Sequence, residues 1–384
     1  MRRLLISTLF FCTCFFGPFS LARAENAAPE LTTTAKGAVL MEAHNGSVFW
    51  EKEPHLRQPI ASMVKIMTLL LAVEAVEQGK VELTDTVTAS EYAAGMGGSQ
   101  IYLAPQEQMS LRELLISIAT GSANDASVAV AEHVAGSAEA FVGAMNERAR
   151  ELGLQDTCYV NPTGLPAPGQ YSSAYDQAVL LREALKHPLF RELTRMKEYD
   201  LRDGQFKLWN TNKLLWWYKG ADSGKTGWTN EAGYCLASSA VREGLRLIAV
   251  VLGCPEPKTH FQESIELYDW GFARYRAVKL APAGMRAATL RVERGTPEQV
   301  DVLTEREVTL VVRRGEDKGI KSGLELPERL AAPVVKGQHV GNWVVCHNEK
   351  EVLRVGLVAA RDVARDDFWG TLHKTLKRVY TLAA

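Results

Sequence analysis

Ser62, Lys65, Ser122, Asn124 and the run Lys225-Thr226-Gly227 are the residues of this chain whose types and spacing could do chemistry. Ser62 and Lys65 bracket Ser-Met-Val-Lys, a hydroxyl three residues before an amine. On a helix that spacing puts both side chains on one face. A serine hydroxyl is a poor nucleophile until a neighbour takes its proton. A lysine can take it once burial or a nearby cation lowers its pKa toward neutrality. Ile60, Met63, Val64, Ile66 and Met67 surround the pair with apolar side chains, so this amine is not expected to sit freely in water. Ser62 would also fall in the first helical turn, where free N–H groups and the helix dipole favour developing negative charge. The plainer alternative is a solvated Ser and Lys on a helix surface.

Ser122 and Asn124 lie in Thr120-Gly121-Ser122-Ala123-Asn124-Asp125, between two expected helices. Ser, Asn and Asp all favour N-caps, so capping is one reading. Capping leaves room for chemistry: a hydroxyl on a second wall can relay a proton to a leaving amine, and an amide can bond both a lysine and a substrate carbonyl. Asp125 reads as structural. Lys225 and Thr226 offer a cation and a hydroxyl to a terminal carboxylate, and Gly227 permits close approach of substrate backbone. The N–H of Trp228 could join that of Ser62 as an oxyanion hole. Gly220 to Thr226 spells Gly-x-x-x-Gly-Lys-Thr, near a phosphate-binding loop. That loop needs four residues between its glycines and opens a helix, whereas this segment runs into a strand, so the phosphate reading fails. His55, His133 and His187 are scattered and read as surface or packing residues.

Singly these motifs are weak. At average residue usage, Ser-x-x-Lys or Ser-x-Asn arises by chance about once in a chain this long, and Lys-Thr-Gly in roughly one chain in ten. Their order and context carry the weight, and the flanking elements supply that context. Asn45-Gly46 between Ala38–Met41 and Val48–Trp50 predicts a hairpin. A helix is expected from about Ala61 to Gln78, closed by Gly79. Ser110 and Glu113 form a capping-box pattern before another. Asn124 opens a third, and Ser137 to Leu152 makes a fourth, ended by Gly153. Strands are expected over Gly233–Val241 and Leu245–Leu252, joined at Glu243-Gly244. A hairpin, a block of helices and a return to strands imply a sheet with helices packed on it. After about Ala277 short alternating runs such as Val308–Val312, Val334-Val335 and Trp343–Cys346 predict a small all-β domain over Lys279–Ala360.

The 384 residues suffice for one large domain and a smaller one. A formal charge of −1, with no long basic run before the C-terminus, gives no electrostatic reason to expect nucleic acid. Residues 1–24 read as an export signal: Arg2 and Arg3, an apolar stretch from Leu4 to Phe16, and Ala22-Arg23-Ala24 as a cleavage site. An uncleaved anchor is the alternative, although Gly17-Pro18 interrupts the apolar run and it is short for a span. Cys12 and Cys14 leave with that segment. Cys158, Cys235, Cys254 and Cys346 form no Cys-x-x-Cys pair and neighbour no His cluster, so no metal site is expected. The hairpin sets Cys235 opposite Leu252 and makes Cys254 a diagonal neighbour, which favours buried thiols over a disulfide.

With these residues in hand, the chain resembles the serine-type D-alanyl-D-alanine carboxypeptidases of the low-molecular-mass penicillin-binding protein family, whose signature is this set of three motifs. Pro59–Thr68 resembles the nucleophile segment and Gly121–Ala126 the second motif. Asn161–Leu165 followed by Tyr171–Asp176 resembles the loop bordering the site. Asn210–Leu215, Lys225–Thr229 and Ala232–Tyr234 resemble the approach to the third motif, and Ala332–Gln338 the C-terminal β domain. The likeness covers about Gly37 to Ala360. It departs at Val64, where Thr is usual, at Ser223-Gly224, and at Trp228, where many members carry His or Tyr.

The resemblance implies an α/β fold: a penicillin-binding/β-lactamase-like transpeptidase domain over 25–277, then a small all-β sandwich domain over 278–361. It implies that Ser62 attacks the D-Ala–D-Ala bond of a peptidoglycan stem peptide, with Lys65 as base and Ser122 as proton relay. Asn124 would contact substrate and lysine, and Lys225, Thr226, Gly227 and Trp228 would bind substrate. Water would then hydrolyse the acyl-enzyme without a cofactor, and β-lactam antibiotics would acylate Ser62. A class A-like β-lactamase, a D-Ala endopeptidase and a wall-binding scaffold without turnover are the alternatives. The β domain and the Asn161–Asp176 segment favour the carboxypeptidase over the first, and complete catalytic motifs argue against the last.

Residues 362–384 are expected to form an amphipathic tail. At about 100° per residue, Phe368, Trp369, Leu372, Leu376, Val379 and Tyr380 share one sector and Lys374, Lys377 and Arg378 the other. With no acid from Phe368 onward, the tail suits an anionic membrane surface. The family resemblance points the same way, and packing on the β domain is the alternative. The protein is therefore expected in the periplasm or on the outer face of the cytoplasmic membrane, held peripherally.

Overall fold

The computed structural model describes residues 31–367. The expected export signal, and the tail from Phe368 onward, lie outside the described residues. Asn45-Gly46 turns the chain as anticipated. Gly46 takes φ of +80°, and strands Gly37–Glu42 and Val48–Lys52 pair antiparallel on either side. The first of these also pairs with Leu245–Cys254, which pairs in turn with Gly233–Arg242 and then with Ala221–Thr229. The result is a five-stranded antiparallel sheet with Ala221–Thr229 at one edge.

Both faces of this sheet are covered, which is why Leu245–Cys254 is apolar almost throughout rather than alternating. Val39, Met41, Ile248 and Val250 join the core of the helical block. Leu40 and Leu247 face the opposite helix, Thr259–Arg274, whose Gly271 allows the close approach: a Cβ there would stand 2.6 Å from Leu247 Cδ1. Buried in the helical block is Lys65–Glu77, with Ile66, Met67, Leu69, Leu70, Ala72 and Val73 all excluded from solvent. A helix apolar around most of its circumference belongs inside a core. Leu111–Gly121, Asn124–Ala135 and Ala138–Glu151 pack around it. Ser110 caps the first of these by accepting from Glu113 N, and Ser137 caps the last by accepting from Ala140 N.

Two expectations are corrected. The helix read from about Ala61 begins as a short 3-10 turn, Ala61–Val64, and becomes α-helical only at Lys65. The cause is local: Ala61 has φ of +48°, outside the helical range. The 243–244 hairpin holds its expected register as far as Leu236↔Val251 and then slips at Cys235, which was expected opposite Leu252, so that Tyr234 rather than Gly233 pairs with Cys254. Cys235 and Cys254 are free buried thiols, and Cys158 and Cys346 are free and half-buried. From Tyr275 the described chain is all β. A six-stranded sheet runs 320–325, 339–347, 350–359, 299–304, 286–293, 329–331, and a two-stranded ribbon pairs Tyr275–Ala281 with Val308–Arg313. Val308, Leu310 and Val312 of the ribbon pack on Val345 and Val355 of the sheet.

Candidate active site

The 3-10 turn Ala61–Val64 carries Ser62 against the edge strand Ala221–Thr229. Two glycines allow that contact. A Cβ on Gly227 would stand 2.4 Å from Ile60 O and 3.2 Å from Ser62 N, and one on Gly164 would stand 2.0 Å from Ala61 O. Gly227, expected to admit substrate backbone, also admits the turn that carries Ser62. Gly164 adds φ of +82°, which an L side chain adopts only with strain. A Gly164→Ala variant is therefore expected to push Ala61 and Ser62 out of place, costing about 2 kcal/mol or more of stability and most of the acylation rate. Thermal unfolding together with β-lactam acylation kinetics checks this; wild-type values for both would refute it.

One turn on, Lys65 is fully buried. Its Nζ lies 2.9 Å from Ser62 Oγ, 2.6 Å from Asn124 Oδ1, and close against the carbonyl oxygen of Thr163. Burial, and after it the Lys225 cation, hold its pKa well below the usual lysine value, with Asp125 pulling weakly the other way. A neutral amine has two hydrogens and one lone pair. Thr163 O can only accept, and Asn124 must present its oxygen because its Nδ2 donates to Gly97 O at 2.6 Å. In the neutral form, which burial favours, those two acceptors take the hydrogens and the lone pair is left for the hydroxyl of Ser62. That is the arrangement of a base next to a nucleophile.

Ser122 closes helix Leu111–Gly121 in the left-handed region, with φ of +61°, and Asn124 opens the next helix. The Ser122 hydroxyl accepts from Lys225 Nζ at 2.8 Å, and the same amine donates to Thr226 O at 2.9 Å. Lys225 is buried too, which brings its pKa down to about 7. Thr226 Oγ1 donates to Thr211 Oγ1 at 2.7 Å, and both residues are half-buried. Trp228, two residues along the strand, is 55% exposed. Asp125 is structural, as anticipated: its carboxylate accepts the N–H of Ile101, Leu103 and Ala126, fixing the segment that carries Gly97 and Ser99 beside Asn124.

The fold thus brings together Ser62, Lys65 and Asn124 in one hydrogen-bonded group, and Ser122, Lys225 and Thr226 in a second. Sequence reasoning missed the two carbonyls, Thr163 O and Gly97 O, and the Thr211 hydroxyl. Asn161-Pro162-Thr163-Gly164 did carry a signal, since an Asn side chain favours a turn by bonding backbone two residues on. Asn161 Oδ1 accepts from the N–H of both Thr163 and Gly164 and shapes that turn.

A Ser–Lys pair with a buried amine, a Ser–x–Asn wall and a Lys-Thr-Gly edge strand on an α/β domain, followed by an all-β domain, define the penicillin-recognising serine peptidases. The family model described as D-alanyl-D-alanine carboxypeptidase matches residues 23–256, and that of the penicillin-binding protein 5 C-terminal domain matches 275–365. The chain belongs to the D-alanyl-D-alanine carboxypeptidase family. It is 40% identical to the D-alanyl-D-alanine carboxypeptidase DacF of Bacillus subtilis, over 98% of either chain. Penicillin-binding protein 5 of Haemophilus influenzae superposes with a TM-score of 0.71 at 33% identity, covering 87% of this chain and 98% of that one. An ampicillin-bound penicillin-binding protein of Listeria monocytogenes gives a TM-score of 0.58 at 31% identity, over 64% of this chain and 100% of its own.

Proposed function

We propose that this protein is a serine D-Ala-D-Ala carboxypeptidase that removes the terminal D-alanine from peptidoglycan pentapeptide stems. The observation that carries this is the buried Lys65 amine, held by Asn124 Oδ1 and Thr163 O with Ser62 Oγ 2.9 Å away. Lys225 and Thr226 hold the terminal carboxylate, and the N–H groups of Ser62 and Trp228 hold the oxyanion. Ser62 attacks the penultimate D-Ala carbonyl as Lys65 takes its proton. Ser122 relays a proton to the departing D-Ala amine, and Asn124 contacts both Lys65 and the substrate. Water then breaks the acyl-enzyme. A β-lactam places its ring carbonyl and carboxylate at the same two points, so it acylates Ser62. The test is mass spectrometry of a pentapeptide stem and of a cross-linked stem dimer, each incubated with pure protein. Loss of one D-alanine from the pentapeptide is expected; an unchanged pentapeptide would sink the reading.

The enzyme works in the cell envelope. Residues 1–24 direct export, 25–277 form the catalytic domain, 278–361 the β domain, and 362–384 a tail that binds anionic membrane. Weak, salt-sensitive partitioning into anionic vesicles is expected, and a truncation after Arg365 should lose it. Equal sedimentation of both proteins with such vesicles would remove the anchor.

A further inference from the structure

Arg202 stands at the tip of a hairpin that takes no part in the proposed chemistry. Strands Glu198–Leu201 and Phe206–Trp209 pair antiparallel, and the chain turns between them with Arg202 and Asp203 at φ of +53° and +55°. Left-handed backbone is uncommon for residues with a Cβ, and it persists where the surroundings over-determine it. Around Arg202 those surroundings are the segment 101–107. Its Nη1 donates to Ile101 O at 2.9 Å, its Nη2 to Tyr102 O at 3.4 Å, and its Nε to Glu107 Oε1 at 2.9 Å. Tyr102 is itself left-handed, with φ of +58°, and its ring meets Phe206 of the hairpin edge-on.

A solvated ion pair contributes little to a fold. Here the planar guanidinium grips backbone as well as a carboxylate, which a point charge could not do in the same geometry. What it grips leads to the base. Ile101 is held at both of its backbone groups, the carbonyl by Arg202 and the N–H by Asp125, which also accepts Leu103 N. Just before Ile101 the chain fixes Asn124: Ser99 O accepts its backbone N–H at 2.7 Å, and Gly97 O accepts its Nδ2 at 2.6 Å. Gly98 between them leaves no slack, since a Cβ there would stand 2.8 Å from that Nδ2. The Gly97 bond decides which end of the amide faces Lys65, whose Nζ lies 2.6 Å from Asn124 Oδ1. The hairpin is braced in turn on the second motif. A Cβ on Gly121 would stand 2.8 Å from Leu208 Cδ2, and Thr211 N donates to Thr120 O at 3.2 Å.

We infer that Arg202 is a positioning residue for acylation: from the hairpin tip it holds the 97–103 segment where Gly97 O orients the Asn124 amide toward Lys65. Among the described residues its side chain hydrogen-bonds none of the groups that do the chemistry, so it acts only through that segment.

The inference rests on the acylation of Ser62 and is tested by its coupling to Asn124. Acylation by a fluorescent penicillin is timed for wild type, Arg202→Ala, Asn124→Ala and the double variant, with thermal unfolding of each. Arg202→Ala should slow acylation by about tenfold, the scale of one charge-assisted hydrogen bond. Arg202→Lys should recover part of that rate. In the Asn124→Ala background the loss from Arg202→Ala should shrink below about twofold, because the group it positions is gone. A merely structural role would slow both backgrounds alike. Equal losses in the two backgrounds, or a wild-type rate in Arg202→Ala, would overturn the inference. If Arg202→Ala does not fold, Arg202→Lys carries the same cycle with about a threefold loss expected, and the same two outcomes decide it. Acylation without release of D-alanine from a pentapeptide would remove the carboxypeptidase reading and leave this inference standing. A wild-type protein that penicillin does not acylate would end both.

Discussion

Ser62→Ala is expected to abolish covalent labelling by a fluorescent penicillin and to lower D-alanine release by about 10⁴-fold or more, the scale seen when a serine nucleophile is removed. Among the described residues, this is the hydroxyl within hydrogen-bond reach of the buried Lys65 amine, at 2.9 Å. Ser122, the other serine of the cleft, accepts from Lys225 instead. The fold should barely notice the change. Lys65 keeps its contacts to Asn124 Oδ1 and Thr163 O, so only one modest hydrogen bond is lost, about 1 kcal/mol. Intact-mass analysis after incubation with the β-lactam, run alongside thermal unfolding, separates the two effects. An adduct that persists in the variant, or that maps to Ser122, would remove Ser62 from its role.

Much of this site was legible because its chemistry resides in side chains at short spacings. Ser62 with Lys65, Ser122 with Asn124, and Lys225 with Thr226 are each local, and a helix, a cap and a strand deliver them. The hairpin at Asn45-Gly46 and the cap at Ser110 were legible for the same reason, since one turn or one side chain decides each. What completes the site was not. Thr163 O lies 98 residues from Lys65 in sequence, and every residue has a carbonyl, so no residue type announces that contact. Gly164 and Gly227 were visible as glycines, but their purpose depends on which backbone passes within 2–3 Å of them. The 3-10 start of the nucleophile helix follows from Ala61 at positive φ, a conformation that alanine disfavours intrinsically. Tertiary packing imposed it, and local sequence offered no warning.

Lys65 and Lys225 should separate by pH and by substrate. Lys65 must be neutral to accept the Ser62 proton, so activity falls on the acid side as that amine is protonated. Burial, and after it the Lys225 cation, push its pKa well below the usual lysine value, which extends toward lower pH the range in which it can accept that proton. Lys225 acts in the opposite sense. With a pKa of about 7 it is cationic below neutrality and loses its charge above, so its hold on a carboxylate weakens as pH rises. The kcat/KM profile, which reports the free enzyme, should therefore bend down on the alkaline side near pH 7 for substrates with a free carboxylate. A bound carboxylate favours the charged lysine, so the same limb in kcat should lie at higher pH. An ester analogue without the carboxylate should show the acid limb alone. Lys65→Ala is expected to slow acylation by about 10²–10⁴-fold for every substrate, the usual contribution of a general base. Lys225→Ala should spare the ester and penalise the carboxylate. Because the Lys225 cation helps keep Lys65 neutral, its removal should also move the acid limb of the remaining activity to higher pH. Equal losses from both variants on the ester, with an unmoved acid limb, would mean that the two amines do not divide the work in this way.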